Sequence, residues 1–167
     1  MTNLITYEEL GLLARPYTTE REMAESLIAE AQREDIRRRL GDALYLQLIK
    51  EVPEDRFRFL LEGGEKDGRI LTGIKTALAY YALARIIRDG NIQATTYGAV
   101  IKDDINSTEP IDTERRRQYR ELFSSADGYM SEVLSFLDCH RKEYPEFQPC
   151  KADRKSNRMR IRVIKKI

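Results

Sequence analysis

The segment from Ile70 to Asp89, ILTGIKTALAYYALARIIRD, limits most what this chain can fold into. At 100° per residue, Ile74, Ala77, Leu78, Tyr81, Leu83, Ala84, Ile86 and Ile87 cover nearly the whole circumference of a helix. A helix that is apolar all round is buried on every side, so other helices must wrap it. Gly90 closes it. Its uninterrupted apolar run, Ala77–Ala84, is far shorter than the roughly 20 residues that span a bilayer.

The flanking sequence supplies helices of the right kind. Thr6 and Glu9 have capping-box spacing, so a short helix is expected after Thr6, ending near Arg15-Pro16. Thr19 and Glu22 repeat the signal. From there Met23, Leu27, Ile28 and Ala31 recur at helical spacing. The stripe loses phase at Glu34-Asp35 and resumes at Ile36, Leu40, Leu44 and Leu48, which predicts two helices, or one kinked helix, over 19–51. Pro53 suits the first turn of a further helix, with Phe57, Leu60 and Leu61 inward and Gly63-Gly64 at its end. EGGEKDG reads as a surface loop. A long amphipathic helix is expected over 111–142, carried by Tyr119, Leu122, Phe123, Ala126, Met130, Val133 and Leu137. Gly128 weakens it by about 1 kcal/mol relative to Ala.

Two stretches break the helical pattern. Residues 91–102 hold Thr95, Thr96, Tyr97, Val100 and Ile101, which favour strands, with Gly98 permitting a bend. Near the C-terminus Arg158, Arg160 and Arg162 alternate with Met159, Ile161 and Val163, the period of a half-buried strand. The expected fold is therefore mainly α: a bundle of about five to six helices around a central apolar helix at 70–89. A small β-ribbon at 92–102 and a candidate second one at 158–164 complete it. Residues 1–150 are expected to form a single domain and 151–167 a basic tail.

Charge is divided along the same boundary. The tail holds eight Lys/Arg against one Asp, a net of +7, while the first 150 residues hold 21 Lys/Arg against 27 Asp/Glu, a net of −6. The whole chain is nearly neutral at +1, so it has no global pull toward polyanions. With 41% hydrophobic residues it has the material for a core rather than the composition of a disordered chain. MTNLITYEEL has neither a basic n-region nor an apolar h-region, so no signal peptide is expected. Two cysteines make no disulfide framework, and a reducing compartment is the default.

Candidate chemistry is thin. Gly63 and Gly68 have phosphate-loop spacing, but Arg69 and Ile70 stand where Lys and Ser/Thr are needed, so an interhelical turn is the better reading. Cys139, His140 and Cys150 are three soft ligands, with Asp138, Glu143 or another subunit as a source for a fourth. A structural zinc site needs four ligands with tighter local pairing, so no metal is assigned, and His140 reads as a surface residue near a helix end. Asp103, Asp104 and Glu109 read as solvated loop carboxylates. Ser124-Ser125 lacks a nucleophile-elbow context. Tyr80 and Tyr81 read as core packing rather than a base-stacking platform, because aliphatic residues surround them at helical spacing. No catalytic residue, cofactor or small-molecule substrate is assigned.

The order of motifs adds to this. Leu40-Gly41-Asp42-Ala43, then Ala79-Tyr80-Tyr81-Ala82 with Arg85, then Thr95-Thr96-Tyr97-Gly98 and a long amphipathic helix resembles the small head–tail connector (adaptor) proteins of tailed bacteriophages and prophages, with a Bacteroides-type flavour. The likeness runs over about residues 4–140; the tail after Pro149 has no match. It implies a virion protein, made in the host cytoplasm, whose copies form a ring between portal and tail and let DNA pass. In such proteins the segment between the central and last helices reaches a neighbouring subunit or the portal, which here implicates Thr95, Thr96, Tyr97, Val100, Ile101 and Lys102. Arg158, Arg160 and Arg162 are candidate contacts to DNA or to a neighbouring copy. The implied partners are copies of the chain and portal or tail proteins, with non-specific DNA contact and no membrane. A different class of function, a small helical nucleic-acid-binding module, rests on the basic tail and on the Arg-rich stretches at Arg37-Arg38-Arg39 and Arg115–Arg120. An enzyme with an unrecognised site is the third.

Overall fold

The computed structural model describes residues 3–17, 19–89, 92–95, 98–101 and 112–148. The chain is mainly helical. In order it runs α1 (Tyr7–Leu13), α2 (Arg21–Ala31), a π-helical stretch (Gln32–Arg37), α3 (Arg38–Leu40), α4 (Asp42–Leu48), α5 (Asp55–Glu62), β1 (Gly64–Lys66), β2 (Arg69–Leu71), α6 (Ile74–Asp89), β3 (Ile92–Thr95), β4 (Gly98–Ile101) and α7 (Asp112–Cys139). Residues 21–40 are helical without a break, so the described residues form six helical units.

α6 is the centre, as its sequence demands. Ten of its sixteen residues are buried, on all sides of the helix. α7 lies along it in antiparallel register: Thr72 just before α6 bonds Glu132, Tyr80 packs on Tyr129, Tyr81 on Phe123, and Arg88 lies over Tyr119. At 28 residues α7 is about 42 Å long, so it overruns both ends of α6. The inward stripe of α7 is the expected one, with Leu122, Ala126, Met130, Val133 and Leu137 buried.

The phase loss at Glu34-Asp35 has a specific cause. Ile36 and Leu40 fall about one residue late for a 3.6 period continued from Leu27 and Ala31. The π turn at Gln32–Arg37 absorbs that residue and returns Ile36 and Leu40 to the core side. The rod ends instead at Gly41, whose φ of +82° turns the chain into α4. The Thr6–Glu9 capping box forms in full, whereas Thr19 does not cap α2: its hydroxyl contacts Met23 Sδ, and the N-cap is Glu20. Pro53 precedes the α5 N-cap, Glu54, rather than entering the first turn.

EGGEKDG is not a loop. Gly64–Lys66 and Arg69–Leu71 pair as an antiparallel hairpin, with Glu65 opposite Ile70. Asp67 and Gly68, both at positive φ (54° and 71°), make the two-residue connection that Asp-Gly favours. α6 therefore starts at Ile74, four residues later than its apolar pattern suggests, because Arg69–Leu71 belong to β2. The hairpin's two ends cross closely. A Cβ on Gly63 would sit 2.3 Å from Leu71 O, and one on Gly73 would sit 2.7 Å from Leu61 O. The segment at 92–102 is likewise two strands, paired to each other from Ile92↔Ile101 to Thr95↔Gly98. The expected strand at 158–164 lies outside the described residues.

These backbone features make two stability predictions. Gly73→Ala, at φ +93° and in contact with the α5 end, lowers unfolding free energy by at least about 1–3 kcal/mol. Gly128→Ala, with open space at the Cβ position, raises it by about 1 kcal/mol and the melting temperature by about 2–4 °C. Urea and thermal unfolding of the two variants measure both.

Candidate functional site

The segment singled out by the sequence follows the C-terminal end of α6 and precedes α7. The structure describes the backbone of Thr95, Val100 and Ile101 in the hairpin, and Thr96, Tyr97 and Lys102 lie outside the described residues. Each strand of the ribbon fills one edge of the other. Arg158, Arg160 and Arg162, together with Cys150, Asp103, Asp104 and Glu109, are also outside the described residues.

Within the helical body lies a polar network that the sequence reading missed. Arg85 of α6 is only 6% exposed. Its Nε donates to Glu30 Oε1 at 3.1 Å and its Nη1 lies 2.6 Å from Asp35 Oδ2. That second contact is off-axis for a hydrogen bond, so Asp35, itself 7% exposed, is held chiefly by charge. Burial raises the Asp35 carboxyl above its ordinary value, and Arg85 opposes the rise. The π turn is what aims Asp35 and Gln32 inward together. Gln32 accepts from Leu4 N at 2.7 Å and donates to Tyr45 Oη at 2.6 Å. Next to it, Asp127 of α7 accepts from both Tyr81 Oη (2.5 Å) and Arg39 Nη2 (2.6 Å), with the Arg39 guanidinium over the Tyr81 ring. Burial, followed by the hydrogen bond to Asp127, raises the Tyr81 hydroxyl strongly. The signal for this network was a lone Arg on an otherwise apolar circumference, which needs buried counter-charges.

Other candidates resolve into packing or surface. Tyr81 is fully buried and Tyr80 packs edge-on against Tyr129, consistent with a core role. Ser125, in the middle of α7, donates back to Glu121 O, and Ser124 is exposed. Gly63 and Gly68 belong to the β1–β2 hairpin, whose strand-turn-strand form offers no helix N-terminus to a phosphate. Among the Arg-rich stretches, Arg37 pairs with Asp42, Arg39 with Asp127, and Arg117 with Glu114 and Glu121. A shallow groove of about 460 Å³ runs between α4, the following turn and α5, and its lining, which includes Leu48, Val52, Arg58, Leu61 and Lys75, contains no histidine, cysteine or hydroxyl side chain.

His140 is not the surface residue expected. Its side chain is 15% exposed and stacks on Phe136 at 4.0 Å between ring centroids. Cys139 is exposed and free, and what His140 meets is Asp67 of the β1–β2 turn, not a thiol. The turn after α7 is also fastened elsewhere: Lys66 pairs with Glu143, Arg56 with Glu146, and Tyr144 Oη donates to Arg56 O.

Residues 36–157 match the model of a family of unknown function, DUF6712. The chain belongs to this family. The match begins inside the π turn and takes in α6, α7 and both hairpins, while α1, α2 and the Arg85 partners Glu30 and Asp35 lie before it. No curated protein and no solved structure matches the chain.

Removing one member of the buried pair exposes its cost. Arg85→Met leaves Asp35 buried without its counter-charge and destabilises by about 3–5 kcal/mol, while adding Asp35→Leu recovers most of the loss. The pH dependence has a definite sign. A carboxyl with a raised folded-state value contributes stability below its ordinary titration range and loses it as pH rises through the folded value. The stability of the native protein minus that of Asp35→Asn therefore falls as pH rises from 3 upward, as urea unfolding across pH measures.

Proposed function

We propose that the chain is a head–tail connector (adaptor) subunit, a structural protein of a phage or prophage virion. Its copies assemble as a ring between portal and tail through which DNA passes. The observation that carries this reading is the hairpin Ile92–Ile101, inserted in a helical body between the central helix and the longest one. That is where connector-like chains, which this sequence resembles, reach a neighbour. Leu12, Leu46, Val52 and Ile70 are large apolar side chains exposed on the body, which suits a chain that buries more surface on assembly. The +7 tail beside the −6 body gives copies a means of mutual attraction. Among the described residues no helix is long and apolar enough to cross a membrane. The proposed locations are the host cytoplasm during assembly and then the virion.

A second reading, nucleic-acid binding through the tail, is favoured by the same +7 charge. The internal pairing of Arg37, Arg39 and Arg117 leaves the tail as its main support. A gel-shift series over salt separates the two: a sequence-specific complex that persists at physiological salt supports the module, and a weak, steeply salt-dependent one does not.

Electron microscopy of the chain mixed with the portal protein encoded beside it tests the main reading. The expected outcome is rings docked on the portal. Val100→Asp with Ile101→Asp is expected to abolish the rings while leaving the helical circular-dichroism signal unchanged. Failure of the unaltered chain to bind the portal at any concentration contradicts it.

A further inference from the structure

His140, Asp67 and Glu143 come from two parts of the chain 73 and more residues apart, and their ligand atoms lie within 4.8 Å of one another. We propose that they form a binding site for one divalent first-row transition ion, of which zinc is the probe. The site fastens the β1–β2 turn to the end of α7.

The imidazole is oriented as a ligand would be. His140 Nδ1 lies 2.9 Å from Phe136 O. A carbonyl oxygen only accepts, so Nδ1 carries the hydrogen, and in the neutral ring the lone pair is on Nε2. This Nδ1–H to backbone-carbonyl arrangement is the outer-shell support that metal-bound histidines use. Stacking on Phe136 fixes the ring plane. Nε2 then points at Asp67 Oδ2, 3.1 Å away. With the ring neutral and the carboxylate ionised, two electron pairs face each other, and the contact is favourable only with a cation shared between them. Two ligands of a tetrahedral zinc, each at 2.0–2.1 Å, are about 3.3 Å apart, so this pair already has the spacing. Glu143 is half exposed and closes the remaining distance by side-chain rotation.

One nitrogen and two carboxylate oxygens suit zinc and its neighbours in the series, and leave room for water or a further ligand. Cys139, adjacent in sequence, is not among the three. Lys66 is the competitor. Its Nζ sits 2.6 Å from Glu143 Oε2, where it both holds the carboxylate and repels an incoming ion.

Isothermal titration of the metal-stripped full chain with zinc chloride tests the proposal. One saturable ion per chain is expected, kept in Cys139→Ser with Cys150→Ser. His140→Gln and Asp67→Asn each weaken it at least about tenfold. Asp67 is exposed in a turn, so Asp67→Asn keeps the test sound where His140→Gln unfolds the turn. Lys66→Met tightens binding by removing the competing charge. No saturable uptake, uptake indifferent to His140→Gln and Asp67→Asn, or uptake abolished by the serine changes overturns the proposal. The first of these leaves a protonated His140 paired with Asp67 as the account of the contact.

Discussion

Everything in this fold is arranged around one helix that has no polar face. α6 is buried on all sides, so each neighbour must offer it an apolar stripe: α7 along its length, α2 and α1 on other flanks, α5 near its start. Its one buried charged residue, Arg85, then sets a second condition. A guanidinium in that position requires carboxylates beside it: the partly exposed Glu30 of α2 supplies one, and the buried Asp35 of the π turn supplies the other. The π turn between α2 and α3 also brings Gln32 to Leu4 and Tyr45. A rare helical form is thus tied to one arginine on the central helix. Such a network adds little net stability against an apolar alternative, and its contacts join α2, the π turn, α6 and α7.

The helices were legible because their signals are local and repeat. The Thr6–Glu9 box, the α7 stripe and the all-round α6 pattern each involve residues within a few turns of one another. What was missed depends on contacts distant in sequence. The 64–71 hairpin carries Asp-Gly, a strong turn signal, but its strands are only three residues each and β1 is Gly-Glu-Lys, so a loop reading prevailed. Ile70 was read as the start of the central helix and is in fact an exposed strand residue. The phase loss near Asp35 was visible, and its cause was not, because a kink and a π turn leave the same mark on a helical stripe. His140 shows the limit at the candidate site: its neighbours in sequence are Cys139 and Arg141, and its neighbours in space are Phe136 and Asp67.

The ends of the molecule differ in character. At the α5 side, the turn after α7 is drawn in by Arg56, Lys66 and Tyr144, and Gln148 O meets Gly41 so closely that a Cβ there would lie 2.6 Å away. At the opposite end of α6 the chain leaves the bundle as the β3–β4 hairpin before returning as α7. Membership of DUF6712 covers both ends, and its description leaves function open. Under the proposed ring reading, the helical body would set the wedge of the subunit and the ribbon would offer a strand edge to a neighbour.

Hydrogen–deuterium exchange on residues 92–101, compared between dilute chain and portal-bound assembly, tests that account most directly. If the ribbon joins a neighbour, its amides gain protection of tenfold or more on assembly while those of α6 change little, being already buried. Equal exchange of residues 92–101 in both states, with protection appearing elsewhere on the body, contradicts it.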